Sequence, residues 1–431
     1  MPELNSGDVL NSTGTEDLRK IDWGMATRHR VPALTIALLA SGLVPALQAQ
    51  VSVTVGDREV QIHGYLSEGA ISSTDNNYLR MNTSDGSLFT EAGVNVSSKI
   101  TDKLRVGAQA YDRYFGELGK GRVYLDWAFA DYRVKDWIGF RGGKIKTPLG
   151  LFTDTQDQTF LYTWALLPQS VYPVDLRSIS VAHVGGDIYG NISSTRGGSF
   201  AYTGFAGSIP SDPRGGYLFG VQAQGGHLST EGVIGRMAGA DLRWSSPIPG
   251  LMVGASMVTN HRSFKGTLGP SPVPLSYSTT LDRVIVAYGD YSSGRFHADA
   301  EYRNQKRRAQ ITAEVPGRPV VKEPGSEEPA WFMSGAYRFS RRVEAGSYYS
   351  HYHVTLINPV APVTGPGRDH IYDKVVTLRL DVARFWTLKV EGHFMDGVGA
   401  PGQAHGFYPQ DNLQGLEPTT RMLVLRTSLF F

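Results

Sequence analysis

The sequence has 431 residues, 41% of them hydrophobic and 19% charged, with a formal net charge of +2. So slight a charge gives no footing for a nucleic-acid partner, and the absence of cysteine excludes both a disulfide framework and a thiolate metal centre. Fifty glycines and 21 tyrosines point to a β protein with many turns rather than a helical bundle.

Taken in chain order, residues 1–24 are polar and read as an upstream extension, with translation starting at Met25. The stretch from Met25 to Gln50 has the layout of a secretory signal: basic Arg28 and Arg30, an apolar run from Val31 to Val44, then the small residues of "PALQAQ". Ala49 is the expected last residue removed, with Ala46 as the alternative. Pro32 and Pro45 interrupt the run, which argues for a signal over a membrane anchor. Residues 50–59 form a lead-in, and no later run is apolar enough for a membrane helix.

From Val60 onward the chain alternates apolar and polar residues at the period of a strand. Examples are Leu104, Val106, Ala108 and Ala110; Val123, Leu125, Trp127 and Phe129; Phe296, Ala298, Ala300 and Tyr302; Trp331, Met333, Tyr337 and Phe339; and Leu378, Leu380 and Val382. A soluble sandwich alternates too, so connection lengths decide. Short turns at Thr101–Lys103, Val134–Asp136, Ser194–Gly198, Ser245–Gly250, Ser292–Gly294, Ser340–Arg342 and Ala383–Phe385 alternate with long polar connections. The long ones are Ile71–Ser87, Thr147–Arg177, Ile209–Gly232, His261–Ser276, Ile311–Glu328, Asn358–Asp369 and Gly397–Pro418, with a brief one near Gly116–Lys120. This succession predicts an all-β fold over 60–431: a transmembrane antiparallel up-and-down β-barrel of about 16 strands, tight turns on the periplasmic side and long loops outside. The final strand, "LRTSLFF", puts Leu423, Leu425, Leu429 and Phe431 on one face and Met422, Arg426 and Ser428 on the other. It is expected to close the barrel against Val60–Gly69, with Phe431 as interface anchor for assembly. Trp127, Trp137, Trp244, Trp331 and Trp386 are candidates for the aromatic belts.

The third long connection, 147–177, is too apolar to hang in water: it carries Leu149, Leu151, Phe152, Phe160, Leu161, Trp164, Leu166 and Leu167. Folding back into the barrel would cover these side chains and narrow the lumen. Here "RGGKIKTPLGLF" followed by "LLPQSVYP" resembles Gram-negative outer-membrane porins, nearest in look to those related to the phosphate-selective O/P group. The resemblance implies a homotrimer of 16-stranded barrels in the outer membrane that passes small hydrophilic solutes or ions. The dense lysine series associated with phosphate selectivity is absent.

Charge at a constriction acts at close range with little screening. The candidate lining is basic Arg105, Arg113, Arg122, Arg141, Lys144, Lys146 and Arg426, facing Asp154 and Asp157 of the loop. Acidic Asp299, Glu301, Glu344 and Glu391 on later strands offset them, so strong anion selectivity does not follow. No G-x-S-x-G or H-E-x-x-H is present, and no catalytic residue, cofactor or metal is expected. His351 and His353 share a strand face but lack an obvious third ligand. The rival to a channel is a non-conducting barrel whose long loops serve an adhesin or structural role.

Overall fold

In the computed structural model, the described residues are 51–210, 226–228, 234–268, 273–359, 365, 367–400 and 405–431. The upstream extension and signal expected at 1–49 lie outside them. Sixteen long strands form the wall. They are β1 (Arg58–Ser73), β2 (Ser87–Lys99), β3 (Leu104–Tyr114), β4 (Tyr124–Lys135), β5 (Ile138–Lys146), β6 (Ala182–Ser194), β7 (Gly198–Ile209) and β8 (Ile234–Ser245). The second half comprises β9 (Leu251–Leu268), β10 (Val273–Ser293), β11 (Phe296–Val315), β12 (Gly325–Arg338), β13 (Val343–His353), β14 (His370–Ala383), β15 (Trp386–Asp396) and β16 (Thr419–Phe430). Shorter strands at Val51–Val55, Gly226–Leu228, Arg318–Lys322 and Thr355–Ile357 pair onto their ends.

Each wall strand pairs antiparallel with the next, and β16 pairs with β1, from Tyr65↔Phe430 to Ser73↔Met422. The sheet is therefore a closed barrel, which leaves no open edge. No helix among the described residues is long and apolar enough to cross a membrane. The strands supply the spanning surface: Val94, Val96, Ile188, Leu378, Leu380, Val390, Leu423 and Leu425 are exposed on the outer face. Near the short turns that face ends in exposed aromatics, Tyr132, Trp137, Phe140, Phe200, Tyr291, Phe296, Tyr337 and Phe339, an interface girdle.

Closure continues past β16. Phe431 exchanges two backbone hydrogen bonds with Gly64, at 2.9 and 3.0 Å. Its ring lies where a Cβ on residue 64 would stand, 2.6 Å away, so the missing side chain leaves room for it. The face assignment of β16 holds: Met422, Arg426 and Ser428 are buried inside, and Leu423 and Leu425 are exposed outside.

Two expectations change. His261–Ser276 and Ile311–Glu328 are mostly strand, not loop, because β9, β10 and β11 run for 18, 21 and 20 residues. At about 3.3 Å per residue they reach roughly 60–70 Å, well beyond an apolar band about 25 Å tall. A register shift in β3–β4 pairing at Gln109/Ala110 turns Trp127 to the lumen, where its ring packs over Gly107. Asp126 also points inward, and Trp127 takes no part in an outer belt.

Candidate functional site

The connection 147–181, third on the long-loop side, folds into the lumen. Its apolar residues explain why: Leu151, Phe152, Trp164, Leu167, Val171, Tyr172 and Ile179 form a buried cluster with Val258, Val286, Phe332, Tyr348 and Tyr352 of the wall. A second cluster joins Ala165 and Leu166 to Tyr78, Leu79 and Met81 of the first loop, Phe115 and Leu118 of the second, and Phe407 and Tyr408 of the last. Burying these side chains inside the barrel removes them from water at about 25 cal/mol per Å² of apolar surface.

A polar frame fixes the loop on three sides. At its root, Asp157 accepts hydrogen bonds from Lys146 Nζ at 2.5 Å, Gln109 Nε2 at 2.8 Å and Tyr65 Oη at 3.0 Å. Arg177, fully buried, makes a bidentate pair with Asp126 at 2.9 Å, and its guanidinium lies 4.1 Å from the centre of the Tyr111 ring. Burial opposes charge on Asp157, yet Lys146 and Arg177 together hold its carboxyl well below the usual carboxylate range. Burial would lower the Arg177 pKa, but Asp126, Tyr111, Tyr124 and Asp157 raise it well above the usual arginine value.

Across the lumen, the positive φ of Gly150, +74°, turns the backbone so that two consecutive N–H groups face the wall. Gly150 N–H donates to Ser256 Oγ at 3.0 Å, and Leu151 N–H donates to Glu301 at 2.9 Å. Tyr172 Oη also donates to Glu301. On the third side, Lys389 Nζ donates to the carbonyls of Thr159, Tyr162 and Trp164 at 2.5, 2.6 and 2.7 Å. Glu391 accepts from the N–H groups of Ala165 and Leu166, both at 2.8 Å. Phe160 stacks on Phe430 of the closing strand at 4.4 Å. The last loop seals this end: His405 and Gly406 N–H and Tyr408 Oη donate to Asp175 at 2.8, 2.9 and 2.7 Å.

Of the residues singled out from sequence, Lys146 and Asp157 meet directly. Arg113 donates to Val174 O at 2.8 Å, and Arg426 donates to Ala165 O at 3.1 Å while pairing with Glu91. Arg141 lies 3.5 Å from Asp187 and over the Tyr189 ring. Lys144 donates to Leu125 O at 2.6 Å. Arg105 bonds Ser97 near the short-turn end, Arg122 is exposed in the second loop, and Asp154 is half-buried in the third. Glu301 and Glu391 bind the third loop's backbone, and Glu344 accepts from Thr163 Oγ1 at 2.5 Å.

A cavity of about 70 Å³ lies between the loop and strands β9–β11. Thr153, Gln156, Tyr172 and Ser180 line its loop side, with Arg262, Glu301, Arg303, Gln305 and Arg307 on the wall. Arg262 stands 3.3 Å from Asp282 and Arg307 stands 3.7 Å from Glu328, while Arg303 donates to the neutral Gln305 at 2.8 Å. Sequence reading missed this arginine row. The inward face of His297, Asp299, Glu301 and Arg303, continued two steps, leads to Gln305 and Arg307. Arg262 falls within His261–Ser276, where the sequence shows no strand alternation.

No protein-family model matches the chain, and no curated protein does. Solved structures do. OmpT of Vibrio cholerae, described as outer-membrane expressed, superposes with a TM-score of 0.55 at 12% identity, over 88% of this chain and 100% of that one. The outer membrane channel DcaP of Acinetobacter baumannii gives 0.52 at 10% identity, over 89% and 100%. The anion-selective porin of Comamonas acidovorans gives 0.50 at 11%, over 87% and 100%. The fold is that of an outer-membrane β-barrel.

Proposed function

We propose that the chain is a passive, non-enzymatic channel in the outer membrane of a Gram-negative bacterium, exported by the signal at 25–49, that admits small hydrophilic solutes and favours anions. The observation that carries this reading is the third loop, pinned inside the barrel beside a cavity lined by Arg262, Arg303 and Arg307. In a narrow, partly dehydrated passage these charges act with little screening. Lys146, Asp157, Arg113 and Arg426 set the loop's position and so the width; the arginine row sets the sign. Two similar structures are named as an outer membrane channel and an anion-selective porin, which supports the reading. A trimer of such barrels is the proposed assembly, and native mass measurement in detergent tests it.

A non-conducting adhesin or scaffold is the second reading. The apolar cluster joining the first, second, third and last loops favours it, since it packs four loops into one buried unit. Reconstitution of purified protein into planar bilayers separates the two: stepwise conductance supports the channel, and folded protein that never conducts supports the scaffold.

A further inference from the structure

At the short-turn end of the lumen, the β10–β11 hairpin brings Asp290, His297 and Asp299 together. Their candidate ligand atoms all lie within 4.8 Å of one another. We propose that these three side chains bind one divalent first-row cation of the Zn²⁺ type, with lumen water completing its shell.

Three features carry this beyond a chance grouping of charges. First, both carboxylates converge on one ring nitrogen: His297 Nε2 lies 3.1 Å from Asp299 Oδ2 and 3.5 Å from Asp290 Oδ2. A tetrahedral Zn²⁺ with bonds of about 2.0–2.1 Å spaces its ligands roughly 3.3–3.4 Å apart, so these separations bracket such an edge. Second, the other ring nitrogen is held from outside the group, because Ser292 Oγ is 2.7 Å from His297 Nδ1. With Nδ1–H donated to that hydroxyl, a metal can take the place of the Nε2 proton that otherwise bridges to Asp299, and both carboxylates stand at that nitrogen to ligate it. Third, the Asp299 side chain is only 1% exposed, and its Oδ1 has no hydrogen-bond partner among the described residues. A buried carboxylate oxygen left unpaired is costly without a counter-charge.

His393 shows the contrast. It places Nδ1 on Asp373 and Nε2 on Glu391, at 2.8 and 3.1 Å, so its two carboxylates lie on opposite ring nitrogens and share no common point for a metal. His297 and Asp290 stay partly exposed, at 40% and 27%, which leaves an entry path and room for water ligands. One imidazole with two carboxylates suits Zn²⁺, Co²⁺ or Ni²⁺ better than Mg²⁺ or Ca²⁺. The site does not require that the barrel conduct.

The test is calorimetric titration of the chelator-stripped, detergent-folded protein with ZnCl₂, and with CoCl₂ followed by visible absorption. One Zn²⁺ per chain is expected, together with the intense band of four-coordinate Co²⁺. His297→Ala should weaken binding at least tenfold and Ser292→Ala about tenfold, while His351→Ala with His353→Ala leaves it unchanged. Both His297 and Ser292 sit at a solvent-facing hairpin end, so the barrel should keep its far-ultraviolet spectrum. If a variant fails to fold, the Co²⁺ band of the wild type decides alone. Absence of Zn²⁺ binding and of the Co²⁺ band in the wild type, or a site that survives His297→Ala, overturns the proposal; a proton rather than a metal then lies between these groups.

Discussion

Asp157 shows what a single buried charge does here. It ties the loop to β1, β3 and β5 through Tyr65, Gln109 and Lys146. Removing one partner of a buried pair leaves the other charge unpaired, at roughly 3–5 kcal/mol. Asp157→Asn should therefore lower thermal stability and loosen the loop root, measured by melting in detergent and by protease cleavage within 147–181. The pH dependence follows from the depressed folded-state pKa of Asp157. Its contribution is fully present above the unfolded value, about 4, and is lost as pH falls toward the lower folded value. Wild type should lose stability on acidification below about pH 4, and the Asn variant should lose less; equal losses would remove Asp157 as the cause. Asp157 was legible in the sequence because it stands in an apolar loop that had to fold inward. Its partner Arg177 was not, since nothing local shows that the loop's two ends converge on Asp126. At the chain end, deleting Phe431 removes both backbone bonds to Gly64 and the interface ring. The yield of folded barrel in the outer membrane should fall, and normal insertion of the truncated chain would contradict that role.

At the scale of elements, the third loop behaves as a bolt held from three sides. Lys389 gathers three of its carbonyls, so Lys389→Met leaves them unsatisfied at about 1–3 kcal/mol each. The variant should show a larger or noisier conductance with the barrel intact, and excision of residues 148–176 should enlarge the conductance several-fold; unchanged conductance in both would mean that the loop does not limit the passage. The wall's strands were readable where they cross an apolar band, because only there does one face stay apolar, as at Leu378 and Leu380. In these outer parts of β9 to β12 the buried face is largely polar, with Arg262, Ser326 and Glu328 inside, so His261–Ser276 and Ile311–Glu328 carry no apolar alternation and read as loops. The bulge at Gln109/Ala110 was hidden for another reason: Trp127 keeps its place in the pattern while the backbone turns its ring inward.

For the molecule as a whole, strand number and closure were legible because turn lengths alternate along the entire chain, a signal that tolerates local errors. The lumen was less so, since its lining depends on contacts between residues far apart, such as Leu151 with Glu301 or Ala165 with Glu391. In the proposed channel, water and anions pass along Arg262, Arg303 and Arg307 beside an inward-folded loop. Its most direct test is the reversal potential of single channels in a potassium chloride gradient, for wild type and for Arg262→Ser with Arg303→Ser and Arg307→Ser. The expected result is discrete steps with a wild-type potential on the anion side, moving toward cations in the triple variant. Steps whose potential is the same in both proteins would contradict the arginine route, and folded wild type without any steps would contradict the channel itself.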